Sequence, residues 1–122
     1  MKKCDIVIPV YKSPEWVKLC IYSVFENTDL KILNKVYLIN DCDDELTTNC
    51  LENLSKKYSK IEILTNEKNL GFIGSTNRGM KNSTADYVLL LNTDCIITKG
   101  TIEKLIDHCE NNSNIGLICP IA

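Results

Sequence analysis

Short apolar runs alternate with segments of helical periodicity along nearly the whole chain, and most of the runs end in a cluster of polar residues. Ile6-Val7-Ile8-Pro9-Val10, Val36-Tyr37-Leu38-Ile39 and Tyr87-Val88-Leu89-Leu90-Leu91 are continuous apolar runs. Such runs predict strands covered on both faces, as in a parallel sheet. Ile61-Glu62-Ile63-Leu64 reads as a shorter strand nearer an edge, and Ile115 to Cys119, closed by Pro120, as a fifth strand. The run Tyr87–Leu91 is the most hydrophobic of the five and is expected at the centre of the sheet.

Between the runs, apolar residues recur at helical spacing. Val17, Cys20, Ile21, Val24 and Phe25 mark a helix that ends near Asn27-Thr28-Asp29, with Ser13 as N-cap and Pro14 in the first turn. Leu46, Cys50, Leu51 and Leu54 mark a second, capped by Asp43 or Asp44. Ile102, Leu105, Ile106 and Cys109 mark a last one, with Thr98 as N-cap. The stretch from Asn69 to Met80 holds three glycines and is expected to open another helix. Repeated β-α units imply an α/β domain with an open, mostly parallel sheet. A length of 122 residues suits one domain.

Composition excludes several classes. A net charge of −2, with acids interspersed among the lysines, leaves no basic footprint for nucleic acid. No stretch approaches the roughly 20 apolar residues of a bilayer span, and the opening apolar run is too short for a signal peptide. The chain is therefore placed in the cytoplasm, or at the inner face of a membrane within a longer protein. Seven cysteines with no C-x-x-C pair argue against a disulfide framework or a zinc site. Most read as small buried hydrophobes, with Cys42 and Cys95 more exposed in loops.

In open parallel sheets, ligands bind beyond the carboxyl ends of the strands, near a switch in strand order. The search for function narrows to the loops after the strands: Tyr11-Lys12-Ser13, Asn40-Asp41-Cys42-Asp43-Asp44, Asn66-Glu67-Lys68-Asn69 and Asn92-Thr93-Asp94. Asp94, helped by Asn92, reads as a ligand for a hard cation that takes oxygen donors, or as an Asx-turn ending a strand. Asp41 reads as an acceptor for the imide N–H of a uracil or thymine ring, or as a cap or turn residue. Arg78 reads as a phosphate contact or a surface arginine. Tyr11 could stack on a base or pack over the sheet end, whereas Trp16 reads as packing and His108 as a helix-end residue. Neither G-x-G-x-x-G nor a P-loop is present.

Taken in order, four segments resemble the family 2 glycosyltransferases of GT-A fold: Asp5 to Tyr11, Val36 to Asp44, Asn69 to Phe72 with Gly74, Asn77 and Gly79, and Tyr87 to Asp94. The resemblance implies a sugar transfer, inverting, from a nucleotide-diphosphate donor, most often UDP-linked. It implies that Pro9, Val10 and Tyr11 line the base pocket and that Asp41 binds the base. It implies that the segment from Gly71 to Arg78, with Asn69 and Asn77, borders ribose and diphosphate. It further implies that Asp94 holds Mn²⁺ or Mg²⁺ beside Asn92 and Thr93. Asn92 stands where the family's D-x-D motif has its first acid, a form similar to the rhamnosyltransferase-like branch. The acceptor-activating base of such enzymes comes from the second half of the domain, and none of the acids here fits it by motif. The chain is expected to be the donor-binding half of a longer enzyme, inactive alone and able to self-associate through uncovered sheet. The alternative is a non-catalytic glycosyltransferase-like binding or interaction domain.

Overall fold

A computed structural model describes residues 2–42 and 44–120. Its elements run β1 (Cys4–Val10), α1 (Pro14–Asn27), β2 (Leu33–Asn40), α2 (Glu45–Lys57), β3 (Ile61–Thr65), α3 (Gly71–Asn82), β4 (Tyr87–Leu90) and α4 (Thr101–Glu110). The sheet is four-stranded in the order β3-β2-β1-β4, and every pairing is parallel. Because β1 has β2 on one side and β4 on the other, strand order reverses between β1 and β4. A crevice is expected at the carboxyl ends of those two strands.

Alternation along β1 divides the core. Ile6, Ile8 and Val10 join Val36 and Leu38 of β2 in one cluster with Val17, Cys20, Ile21 and Val24 of α1, Cys50, Leu51 and Leu54 of α2, and Ile102 of α4. Val7 of β1 and Tyr37 and Ile39 of β2 point to the other face, beneath α3. There Gly79 lets α3 approach: a Cβ at that position would stand 2.3 Å from Val7 Cγ1. The Tyr37 hydroxyl donates to the Asn82 carbonyl at 3.1 Å and fixes the end of α3.

Asp5 is fully buried inside β1, a position that demands partners for its carboxylate. It accepts from Asn34 Nδ2 and the Lys35 amide at 2.9 Å, from Ser83 Oγ at 2.6 Å and from the Thr84 amide at 3.2 Å. One side chain thereby clamps the start of β2 to the loop between α3 and β4.

Several expectations change. β4 lies at an edge, not the centre, and exposes Val88 and Leu90 on the α3 side. Its hydrophobicity serves the other face, where Tyr87 and Leu89 pack on the core cluster. Residues 115–119 form no strand; Ile115, Leu117 and Ile118 instead line an apolar groove with α4 and β4. Ile115 and Ile118 are half-buried there, and Leu117 stays exposed. β3 lies at the opposite edge, as its length suggested. Ser13 sits at the N-cap of α1, but its backbone is left-handed (φ 57°) and its side chain makes no cap bond. Side-chain capping needs an extended backbone there. Gly100 (φ 81°), not Thr98, precedes α4; the Thr98 carbonyl closes the preceding turn by accepting the Thr101 amide. Asp44 caps α2 through the Thr47 amide at 3.0 Å, and Asp43 lies outside the described residues. Leu46 is turned to solvent while Thr47 is buried in its place. Only Cys4, Cys20 and Cys50 are buried, Cys42, Cys95 and Cys109 are half-buried, and Cys119 is exposed.

Candidate donor-binding site at the strand tips

A crevice lies where the strand order reverses. It has a volume of about 720 Å³ and is walled by Pro9, Val10 and Tyr11 from the tip of β1, Asp41 from β2, Asn69 and Gly71 before α3, and Asn92, Thr93 and Asp94 after β4. A second cleft shares Tyr11, Asp41 and Asn69 and runs on past Asn66 toward Lys12 and Lys68. The two clefts adjoin at Tyr11, Asp41 and Asn69.

Asp41 is nearly buried, and its carboxylate is largely committed. Oδ1 accepts from Asn66 Nδ2 at 2.8 Å and the Leu70 amide at 2.7 Å. Oδ2 accepts from the Gly71 amide at 2.9 Å. The local sequence explains why. Leu70, at the N-cap of α3, offers no side-chain cap, so the helix start draws on neighbours: the Gly71 amide is shared with Asn69 Oδ1 at 2.9 Å, and the anion comes from the strand tip. Gly71 can present its N–H because φ is +73°, a conformation glycine adopts freely. The Asp41 amide in turn donates to the Val10 carbonyl at 2.9 Å, tying the loop to β1.

Asp94 is the opposite case. It and Asn92 are exposed, and among the described residues its carboxylate receives only a long contact from Cys95 Sγ, at 3.9 Å. The loop is held from below: Cys20 Sγ donates to the Asn92 carbonyl at 3.6 Å, and Ser23 Oγ accepts the Ile97 amide at 2.9 Å. Burial, with Cys95 and Asp94 close by, pushes the Cys20 thiol up to about 12 and keeps it protonated as a donor.

No group of three or more His, Cys, Asp or Glu side chains converges among the described residues. The donor set at the β4 tip, one free carboxylate and one amide oxygen, does not make a self-sufficient cation cage. It does fit Mg²⁺ or Mn²⁺ completed by phosphate oxygens and water, because such ions commonly take only one or two carboxylates beside substrate phosphates.

The structure brings Pro9, Val10, Tyr11, Asp41, Asn69, Gly71, Asn92, Thr93 and Asp94 to one crevice. It leaves Asn77 exposed on α3 and Arg78 outside the crevice, where Arg78 Nη1 donates to the Thr65 carbonyl and Asn66 Oδ1, both at 2.7 Å. It also adds residues. Ser13, Trp16, Phe72 and Ser75 line the crevice, and Trp16 and Phe72 are more than half exposed there. Trp16 has the apolar signal of a packing residue; only its place in the first turn of α1, directly after the β1 loop, hints at the crevice.

Residues 5–122 match the model of glycosyl transferase family 2. The chain belongs to this family. An uncharacterized glycosyltransferase of Haemophilus influenzae is 30% identical over 94% of the chain and 36% of its own length. The chain thus spans about a third of that relative. Among solved structures, a mannosyltransferase from Pyrobaculum calidifontis in complex with GDP-Man and Mn²⁺ superposes with a TM-score of 0.81 at 11% identity, covering 88% of this chain and 32% of that one. GalNAc-T7 with UDP, GalNAc and Mn²⁺ superposes at 0.82 and 17% identity, covering 91% and 21%. The fold is that of GT-A glycosyltransferases. No helix among the described residues is long and apolar enough to cross a membrane.

Proposed function

We propose that the protein carrying this chain transfers a sugar from a nucleotide-diphosphate donor, UDP-linked, to an acceptor hydroxyl, and that these residues form its donor-binding part. The observation that carries the reading is the crevice at the strand-order switch, with one committed carboxylate, Asp41, and one free carboxylate, Asp94, on its walls. The family membership and the nucleotide and Mn²⁺ in the two solved neighbours support it.

Asp41 retains one acceptor position, on Oδ2, after its three internal bonds. One position suits the single imide N–H of uracil. Tyr11, more than half exposed at the β1 tip, offers a ring face for the base. Asn69, Gly71 and Thr93 border the ribose and diphosphate. Asp94, with Asn92, would hold Mn²⁺ or Mg²⁺, which when bound neutralises charge growing on the departing diphosphate. In the transfer, the acceptor oxygen forms a bond to the anomeric carbon as the carbon–oxygen bond to the diphosphate breaks, its electron pair leaving with the phosphate. One such displacement inverts the anomeric centre. The acceptor proton passes to a general base. The resemblance to family 2 enzymes implies that this base is an Asp or Glu from the second half of the domain, and none of the acids here fits it by motif. The chain alone is then expected to bind UDP and transfer no sugar. We place it with the rhamnosyltransferase-like branch on Asn92, and its cellular site in the cytoplasm or at the inner membrane face.

Titration of UDP with and without Mn²⁺ tests the reading. Tighter binding with the metal, lost in Asp94→Ala, is the expected result. If the metal changes nothing and Asp94→Ala binds UDP as before, the chain is a non-catalytic nucleotide-binding shell.

A further inference from the structure

Arg78 carries the positive charge that a diphosphate would recruit, yet it does not line the crevice. Its Nη1 donates to the Thr65 carbonyl and to Asn66 Oδ1, both at 2.7 Å. The Asn66 amide is thereby fixed in orientation. Its oxygen must face the guanidinium, which has no acceptor, and its NH₂ must face acceptors. That NH₂ divides its two hydrogens between Asp41 Oδ1 at 2.8 Å and Ser75 Oγ at 2.9 Å. Asp41 can only accept, so the chain of donors runs one way: from Arg78 through Asn66 to Asp41, which the amides of Leu70 and Gly71 reach from the other side. Ser75 is fully buried on the same helix as Arg78.

We propose that Arg78 and Asn66 are positioning residues that act through Asp41, holding its carboxylate turned so that Oδ2 keeps its open acceptor position toward the crevice. Arg78 does this from outside the ligand space. With Arg78 removed, the Asn66 amide is free to rotate by a half-turn, and rotation would set its oxygen against Asp41 Oδ1 and push the carboxylate out of register. The inference rests on the reading that Asp41 meets the base.

Uridine and UDP separate this role from a phosphate contact, because both carry the base and only one carries phosphate. Arg78→Met is expected to weaken calorimetric binding of both ligands by the same factor, about tenfold for one lost charge-assisted bond. Arg78→Lys, which can still donate to Asn66 Oδ1, should recover much of it. In an Asp41→Asn background, Arg78→Met should cost uridine nothing further. Weakened UDP with unchanged uridine would place the guanidinium on the diphosphate and overturn the proposal. So would no change in either ligand, or a loss that persists undiminished in the Asp41→Asn background. The Gly71 amide resonance, read by NMR in the ligand-free chain, distinguishes the two ways of failing. If Arg78→Met moves it while Asp41→Asn leaves uridine binding intact, the positioning chain stands and the base reading falls. If the resonance does not move, the positioning chain falls.

Discussion

The tips of β2 and β4 face each other across one crevice and are built on opposite plans. At the β2 tip, Asp41 is nearly buried and bonded to three donors from the loop between β3 and α3 and the start of α3. At the β4 tip, Asp94 is exposed and its oxygens meet no strong donor among the described residues. A carboxylate with three internal bonds has a defined direction and little remaining capacity, which suits reading one hydrogen on a ligand. A carboxylate without them can accept a cation but cannot hold one alone. The difference teaches that a preformed wall and an incomplete wall can share a crevice; on the proposed reading, the ligand's phosphates would supply what the second wall lacks.

The largest way to break this arrangement is to lift α3. Gly79→Ala puts a methyl 2.3 Å from Val7 Cγ1, and overpacking of that kind is expected to cost roughly 3 kcal/mol in a denaturant titration. Because α3 carries the amides that hold Asp41, uridine binding should weaken with stability. Asp41→Ala comes next. It orphans the Leu70 amide and leaves Asn66 and Gly71 with only their second acceptors, Ser75 Oγ and Asn69 Oδ1, and is expected to cost about 2 kcal/mol and abolish uridine binding. A variant that keeps stability and uridine affinity would contradict the β2-tip account.

A smaller effect should come from pH. Cys4 and Cys20 titrate ordinarily near 9.0 and are pushed up to about 12 by burial. Both folded values lie above the unfolded ones, so their contribution is complete below pH 9 and is lost as pH rises toward 12, where the unfolded chain sheds protons that the folded one retains. The thermal midpoint should fall over that range. Cys20→Ala, which removes the thiol under the Asn92 carbonyl, should flatten the fall. The smallest effect on stability belongs to Asp94→Ala, expected within about 0.5 kcal/mol of the parent chain because the side chain is exposed and lacks a strong partner. Its consequence should appear only in the metal dependence of UDP binding.

The two tips also differ in how far they can be read from sequence. Polar clusters after apolar runs place both Asp41 and Asp94 at strand ends, since a parallel sheet gathers its carboxyl edges. What Asp41 does there is not legible, because its partners Asn66 and Gly71 lie 25 and 30 residues away. Asp5 is a parallel case: nothing around Cys4-Asp5-Ile6 announces a buried carboxylate that Ser83 and Thr84 satisfy. Arg78 has the charge of a phosphate contact, and only the tertiary packing of α3 on β1 and β2 directs it to Thr65 and Asn66. Sequence misplaces β4 because its run is apolar throughout, yet β4 stands at an edge and leaves Val88 and Leu90 exposed on one face. Residues 115–119 have the composition of a strand, yet they meet β4 and α4 across an apolar groove and form no ladder.

The division between the tips is tested most directly by titrating uridine, UDP, and UDP with Mn²⁺ into the parent chain and Asp94→Ala. The account predicts equal uridine affinity in both, and a Mn²⁺ enhancement of UDP binding that only the parent chain shows. Uridine binding that falls in Asp94→Ala as far as UDP binding does would contradict it.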